Sequence, residues 1–308
     1  MEQETITLSQ LRLPLVFFAC CLFWALLGFI FGAVFHHAVA GMIWGLIFGV
    51  GYVVFGSWAA EKFPSDILDA KLLENEWAPN LYDMLHELSA KMEVPLPTLY
   101  SVPFAQPNAF VVAGRDGNSA IIVTNGLTRN LEKSEVYAVA ALMMARLATG
   151  AMPTWTIAAT LAGMPLHLGL ILRRRPGLEW LGSFVLGAFA LPAAGLARLA
   201  WGEGVVTAAD FHAAHLSESP GALESALCKI ESAWTTKPGA TETNDGSEVN
   251  PATALLFAAP PLACAGADAA WWPRLQTSFP SVRLTAAVRS ARFPARLPGL
   301  PEEPEGLY

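Results

Sequence analysis

Charge is scarce in this chain. Of 308 residues only 15% are Asp, Glu, Lys or Arg, while 54% are hydrophobic; a soluble domain carries about 25% charged residues. With a mean hydropathy of +0.41, the deficit points to membrane segments rather than a water-soluble globule. Basic residues are the scarcer sign: 19 Lys and Arg against 26 Asp and Glu leave a formal charge of −7. No Lys/Arg stripe with interleaved aromatics occurs either, so nucleic acid is not expected as a partner. There are four cysteines, Cys20, Cys21, Cys228 and Cys264. None makes a Cys-x-x-Cys pair, so neither a disulfide framework nor a thiolate zinc site is expected. They read as small apolar residues. Also missing are a Gly-x-Ser-x-Gly elbow and a cysteine with a histidine placed to activate it. Gly114 to Gly117 is a short turn rather than a phosphate loop.

What is abundant is long apolar sequence. Leu13 to Phe35 and Val39 to Ala60 carry no charge. Each is long enough to cross a hydrocarbon core of about 30 Å, which takes about 20 residues. The connector His36-His37-Ala38 is so short that the two must form a hairpin. The first run is too long for a signal-peptide core and lacks a basic flank. Gly28 and Gly32 on the first helix, and Gly41, Gly45 and Gly49 on the second, recur every four residues. That spacing lets helix backbones approach closely in lipid. The stripe serves either packing within the hairpin or a groove for a partner helix. Pro153 to Leu172 and Trp180 to Trp201 form a second apolar pair, joined by the polar turn Arg173-Arg174-Arg175-Pro176-Gly177 and interrupted by Pro165, His167 and Pro192. Two hairpins put both polar regions on one side. The positive-inside rule, applied to Arg173 to Arg175, would place them outside the cytoplasm.

The polar sequence is amphipathic. Leu72, Leu73, Trp77, Leu81, Met84, Leu85 and Leu88 form a 3.6-residue stripe that predicts a helix over Ala70 to Glu93, breakable at Pro79. Pro95-Leu-Pro97 ends it. Thr98 to Val102, Phe110 to Val112 and Ala120 to Thr124 read as strands. Ser134 is expected to N-cap a helix running through Val139, Leu142, Met143 and Leu147. Beyond the second hairpin, Val205 to Leu216 and Gly221 to Trp234 read as helices. Thr235 to Asn250 is a polar, aromatic-free loop. Thr253 to Trp272 is too broken for a fifth span, and Val282 to Arg292 is a last helix.

Three phrases in this order are informative: Val94-Pro-Leu-Pro-Thr-Leu-Tyr100, Pro107-Asn-Ala-Phe110 and Ile122-Val-Thr-Asn-Gly-Leu127. With Glu135 and Val139 at the next helix's start and Gly150, Met152 and Thr156 at its exit, the chain resembles the HtpX-like membrane zinc metalloproteases, relatives of the CAAX prenyl proteases. Ala209-Asp210, Leu223-Glu-Ser-Ala-Leu227 and Thr277-Ser-Phe-Pro280 extend the likeness over nearly the whole chain. The resemblance implies a mainly α membrane protein with a small β-sheet: two transmembrane hairpins and a zincin-like α+β domain. The expected layout is an N-terminal hairpin at 1–60, a first part of the metalloprotease-like domain at 61–151 and a second hairpin at 152–202. The second part follows at 203–292, then a proline-rich tail at 293–308.

In that family a His-Glu-x-x-His helix and a distant glutamate hold the zinc, and the glutamate of the motif takes the proton of the bound water. Carried over by register, the first histidine falls on Leu142, the base on Met143, the second histidine on Arg146 and the third ligand on Val206. None is a residue that holds zinc or acts as its base. Catalytic zinc needs nitrogen, oxygen or sulfur donors, normally three from the protein; leucine and valine have none, and arginine is a permanent cation without an acceptor. The expectation is a zincin-like domain without zinc or other cofactor. It would be an inactive, pseudoenzyme-like structural or regulatory subunit of a membrane complex, whose partner is an active paralogue or a larger assembly in the lipid bilayer. By resemblance, the polar domain faces the bacterial cytoplasm across the inner membrane. Two alternatives stand beside it: a hydrolase with a metal site rebuilt from Asp210, His212 and His215, and a lipid or small-molecule binder using the vacated cleft. A buried guanidinium needs compensation, so Arg146 is expected to pair with Asp210 or Glu203 and replace zinc as the tie between two helices.

Overall fold

The computed structural model describes residues 2–60, 70–74, 76, 78–114, 117–200 and 220–236, together with Ala209, Ala213, Leu216, Leu256 and Ala258. The regions expected at 237–308, apart from Leu256 and Ala258, lie outside them.

Helices α1 (Glu2–Val34) and α2 (Ala38–Ala59) form the first hairpin. Leu11–Val34 and Ala38–Ala59 are long and apolar enough to cross a membrane. The reversal is a Schellman close. His36 takes the left-handed conformation at φ 61°, while His37 N–H bonds to Gly32 O at 2.8 Å and His36 N–H to Ala33 O at 3.1 Å. The glycine stripe lies where the helices meet. A Cβ on Gly41 would stand 2.3 Å from Gly28 O, and one on Gly45 would stand 2.3 Å from Trp24 O.

The second hairpin is α6 (Met152–Arg173) and α7 (Glu179–Ala200). Both contain a segment long and apolar enough to span, and α6 is the most buried of the four such helices among the described residues. Prolines 165 and 192 lie inside these helices. The ring of Pro165 leaves the carbonyl of Leu161, four residues back, without its helical N–H donor. The hydroxyl of Tyr52 on α2 donates to that carbonyl instead, a substitution that keeps a proline-containing helix viable in lipid. The two hairpins pack together, α1 against α7 and α2 against α6.

Between the hairpins lies an α+β unit. It contains β1 (Lys71–Leu72), α3 (Pro79–Met92), β2 (Thr98–Val102), β3 (Ala109–Ala113), β4 (Ser119–Thr124), α4 (Asn125–Asn130) and α5 (Lys133–Ala148). The sheet order is β1-β2-β4-β3, with β2 and β4 parallel and the other pairs antiparallel. Every residue of β3 is buried, as expected of a strand covered on both faces. Helices α5 and α6 both pack on it. After α7, the long helix of the described residues is α8 (Pro220–Thr236), which packs on α5. One apolar core runs through all these pieces, from Val16 and Ala60 of the first hairpin through Phe110 and Leu142 to Leu223 and Ile230.

Two expectations need correction. The helix expected from Ala70 begins only at Pro79, its first residue, where a missing N–H costs nothing. Upstream, Lys71 and Leu72 pair with Ser101 and Tyr100 as an antiparallel edge strand. Leu72 is exposed there rather than on a buried helix face. Nor is Ser134 the N-cap of α5. Glu132 holds that position, and Glu135 reaches back to accept from its N–H at 2.9 Å. That is a capping box with glutamate in the role usually given to serine.

Candidate functional site

Helix α5 carries Leu142, Met143 and Arg146, the three residues on which the zinc motif of the resemblance falls. From Glu135 to Arg146 it is buried almost all round, because β3, α3, α4 and α8 pack on it. Leu142 and Met143 are both 0% exposed and Arg146 is 4% exposed. The donor set at these three positions does not fit zinc. Leucine offers nothing, and Met143 offers a lone thioether, a soft ligand better suited to copper(I). Arg146 would oppose a dication with its own charge. Among the described residues, no group of three or more His, Cys, Asp or Glu side chains stands close enough to hold an ion.

Arg146 turns inward instead. Its Nη1 donates to the carbonyl of Leu256 and its Nη2 to that of Ala258, each at 3.4 Å. Ala258 N–H in turn donates to Ala109 O on β3 at 2.7 Å. In the β3–β4 ladder, Thr124 N–H bonds to Asn108 O and Gly114 N–H to Asn118 O. By alternation, Ala109, Val111 and Ala113 therefore turn their polar groups to the other side. That outer side meets Ala258 at one end and, at the other, Thr156 Oγ1 of α6, which accepts from Ala113 N–H at 3.1 Å. Thus residues 256 and 258 lie between the sheet edge and α5, with the guanidinium bridging their carbonyls.

A second tie joins α5 to α8. Lys229 Nζ lies 2.7 Å from Glu135 Oε1 and 2.8 Å from Oε2, and Ser225 Oγ donates to Oε1. Burial of Glu135 disfavours its charged form. The hydrogen bonds from Lys229, Ser225 and the Glu132 N–H outweigh it and hold the carboxyl below its usual range. The Lys229 ammonium is held above its usual range, chiefly by the bond to Glu135. On the opposite flank, Lys91 of α3 stands 2.7 Å from Glu87, and Tyr137 of α5 donates to Glu87 at 3.2 Å.

The sequence phrases that carried the resemblance meet in space. Asn108 N–H donates to Thr124 Oγ1 at 2.7 Å, and Thr124 N–H returns to Asn108 O at 3.0 Å. The Asn108 side chain accepts from Ala109 N–H at 2.9 Å. Gly126 follows because a Cβ there would strike Ala105 O at 2.1 Å. These residues fix where β3 starts and β4 ends, which aims the sheet edge at α5.

Val206, Asp210, His212, His215 and Glu203 lie outside the described residues. Their neighbours Ala209 and Ala213 are buried in the same core as Leu142. Sequence reasoning missed the carbonyl partners of Arg146 at Leu256 and Ala258, since backbone acceptors leave no trace in residue type. It also missed the Glu135–Lys229 pair. There a partial signal existed: Ser225 and Lys229 are four apart on the helix expected over Gly221 to Trp234.

No family model matches the chain, and no solved structure does. It is 29% identical over 240 residues to a protein of Pelotomaculum thermopropionicum named Protease HtpX homolog, covering 73% of this chain and 83% of that protein. A protein of the same name from Thermococcus sibiricus is 30% identical over 233 residues, covering 70% of this chain and 76% of the relative.

Proposed function

The chain belongs to the HtpX protease family, and from that premise we propose that it is a member without peptidase activity, serving as a structural or regulatory subunit of a membrane complex. One observation carries the reading. The turn of α5 from Leu142 to Arg146 is packed as core, and its one charged group is engaged with the chain's own carbonyls. Hydrolysis by this family's chemistry needs a water coordinated and polarised by a metal ion, and neither a hydrophobic pair nor a guanidinium can coordinate a metal or a water as a Lewis acid does. Holding on to a membrane protease scaffold while filling its centre with packing suits a protein that binds rather than cuts. The partner is a membrane protein, either an active paralogue or a larger assembly. The polar unit faces the cytoplasm of a bacterial inner membrane.

The test uses the full chain extracted in mild detergent. Zinc is measured by elemental analysis, peptide cleavage is assayed with and without chelator, and co-purifying proteins are identified by mass spectrometry. The expected result is substoichiometric zinc, no chelator-sensitive cleavage and a membrane protein held through purification. One zinc per chain, lost in His212→Ala, would overturn the proposal in favour of a site rebuilt around Asp210, His212 and His215. A chain that purifies alone in every detergent would end the subunit role.

A further inference from the structure

Where the two hairpins meet, the spans do not close on each other. A cavity of about 260 Å³ lies between α1, α2, α6 and α7, walled by Phe23, Trp24 and Phe189 and by the two prolines, Pro165 and Pro192. The rings make a continuous wall, with Phe23 and Phe189 centroids 5.7 Å apart and those of Trp24 and Phe189 5.8 Å apart. Among the described residues, no charged side chain lines it. The one hydroxyl among the described lining residues, that of Tyr52, is already committed to the Leu161 carbonyl. Gly195 sits on the rim: it is exposed, and nothing lies within 4 Å of where its Cβ would be.

Depth and chemistry together choose the occupant. Cys20, on the lining, is nine residues along the span that starts at Leu11, roughly 14 Å from its end at 1.5 Å per residue. That is about the middle of a 30 Å hydrocarbon core. The lining runs from this depth to Gly195, Leu196 and Leu199 at the end of the α7 span, so a headgroup left at the interface can feed a chain inward, while the described lining residues are mostly apolar and suit water poorly. Protein interiors rarely leave voids larger than a water molecule empty. We propose that this cavity is a binding site for one acyl chain of a bilayer phospholipid, entering sideways past Gly195 and lying against the aromatic wall. The site is separate from α5, and it requires only that the hairpins stand in a membrane, whether or not the chain cuts peptides.

The experiment reconstitutes the full chain in phosphatidylcholine nanodiscs containing a phosphatidylcholine whose acyl chain carries a mid-chain diazirine. After irradiation, labelled residues are mapped by mass spectrometry. The expected result is labelling at Cys20 and Phe23, which line the cavity, as well as at Leu22 and Leu26, which are 56% and 55% exposed on the outer face of α1. In Gly195→Phe, whose ring has open space to fill the entrance, labelling at Cys20 and Phe23 should fall at least fivefold, with Leu22 and Leu26 unchanged. If that variant fails to fold, Gly195→Leu gives the same reading with a smaller plug. Unlabelled Cys20 and Phe23 in the native chain, or equal labelling in native and plugged proteins, would overturn the proposal. So would a different tightly held hydrophobic molecule, such as a lipid-modified peptide, found by native mass spectrometry of the extracted chain.

Discussion

The sharpest energetic test is a single methyl group in the first hairpin, Gly41→Ala. The added Cβ would lie 2.3 Å from Gly28 O and 2.8 Å from Gly32 Cα, while ordinary contact begins at 3.4 Å. The obstruction is backbone on a neighbouring helix, so no side chain can swing aside. The helices must part by about 1 Å locally. A gap of 0.5–1 Å already forfeits about a quarter to a half of each dispersion contact along the seam. In lipid no hydrophobic driving force replaces the loss. Overpacking of this kind costs about 1–3 kcal/mol, or up to about a hundredfold in the folding equilibrium. The control is on the same helix. A Cβ on Gly51 meets nothing within 4 Å, so Gly51→Ala should be neutral or stabilising by up to about 1 kcal/mol, the helix-propensity difference. Unfolding of the full chain in mixed micelles, titrated with denaturing detergent and followed by circular dichroism, separates the two. If Gly41→Ala unfolds together with Gly51→Ala, the close approach of the helices is wrong.

Two further outcomes follow from the polar ties. Tyr52→Phe strands the carbonyl that Pro165 deprives of its helical donor, at a cost of about 0.6–2 kcal/mol. Restoring an N–H with Pro165→Ala should cancel much of that cost, so a double-mutant cycle without coupling between the two positions would refute the pairing. Glu135→Gln should destabilise by about 1–3 kcal/mol, measured by thermal unfolding in detergent. Because the folded carboxyl titrates below its usual range, its contribution is complete above the ordinary carboxylate range and is lost as pH falls through the depressed folded value. The native chain should therefore lose more stability than Glu135→Gln between neutral and acid pH; equal acid sensitivity would count against the tie.

The membrane part was the most legible from sequence. Twenty uncharged residues can satisfy their backbone in lipid only as a helix, so Leu13 to Phe35 and Val39 to Ala60 declared themselves, and the glycine stripe marked the face of close approach. Thr98 to Val102 was equally plain, because alternation and β-branching coincide there. Leu72 and Leu73 misled because their spacing extends the helical stripe of α3, while pairing with β2 is a long-range event that no local pattern records. Ser134 misled for a related reason. A serine near a helix start suits a cap, but Glu135 could reach the Glu132 N–H and so moved the start upstream.

By itself, the sequence determined which stretches are long and apolar enough to cross a membrane and where the chain turns between them, because these depend on residue type and spacing alone. Only the tertiary structure decided what the polar side chains do. It turned Arg146 onto the carbonyls of Leu256 and Ala258, brought Lys229 to Glu135 and set Tyr52 under the break at Pro165, since each of these bonds joins groups far apart in the chain. The cavity between the hairpins belongs to the same class: it is the space left where four helices, with Pro165 and Pro192 on its lining, do not all touch.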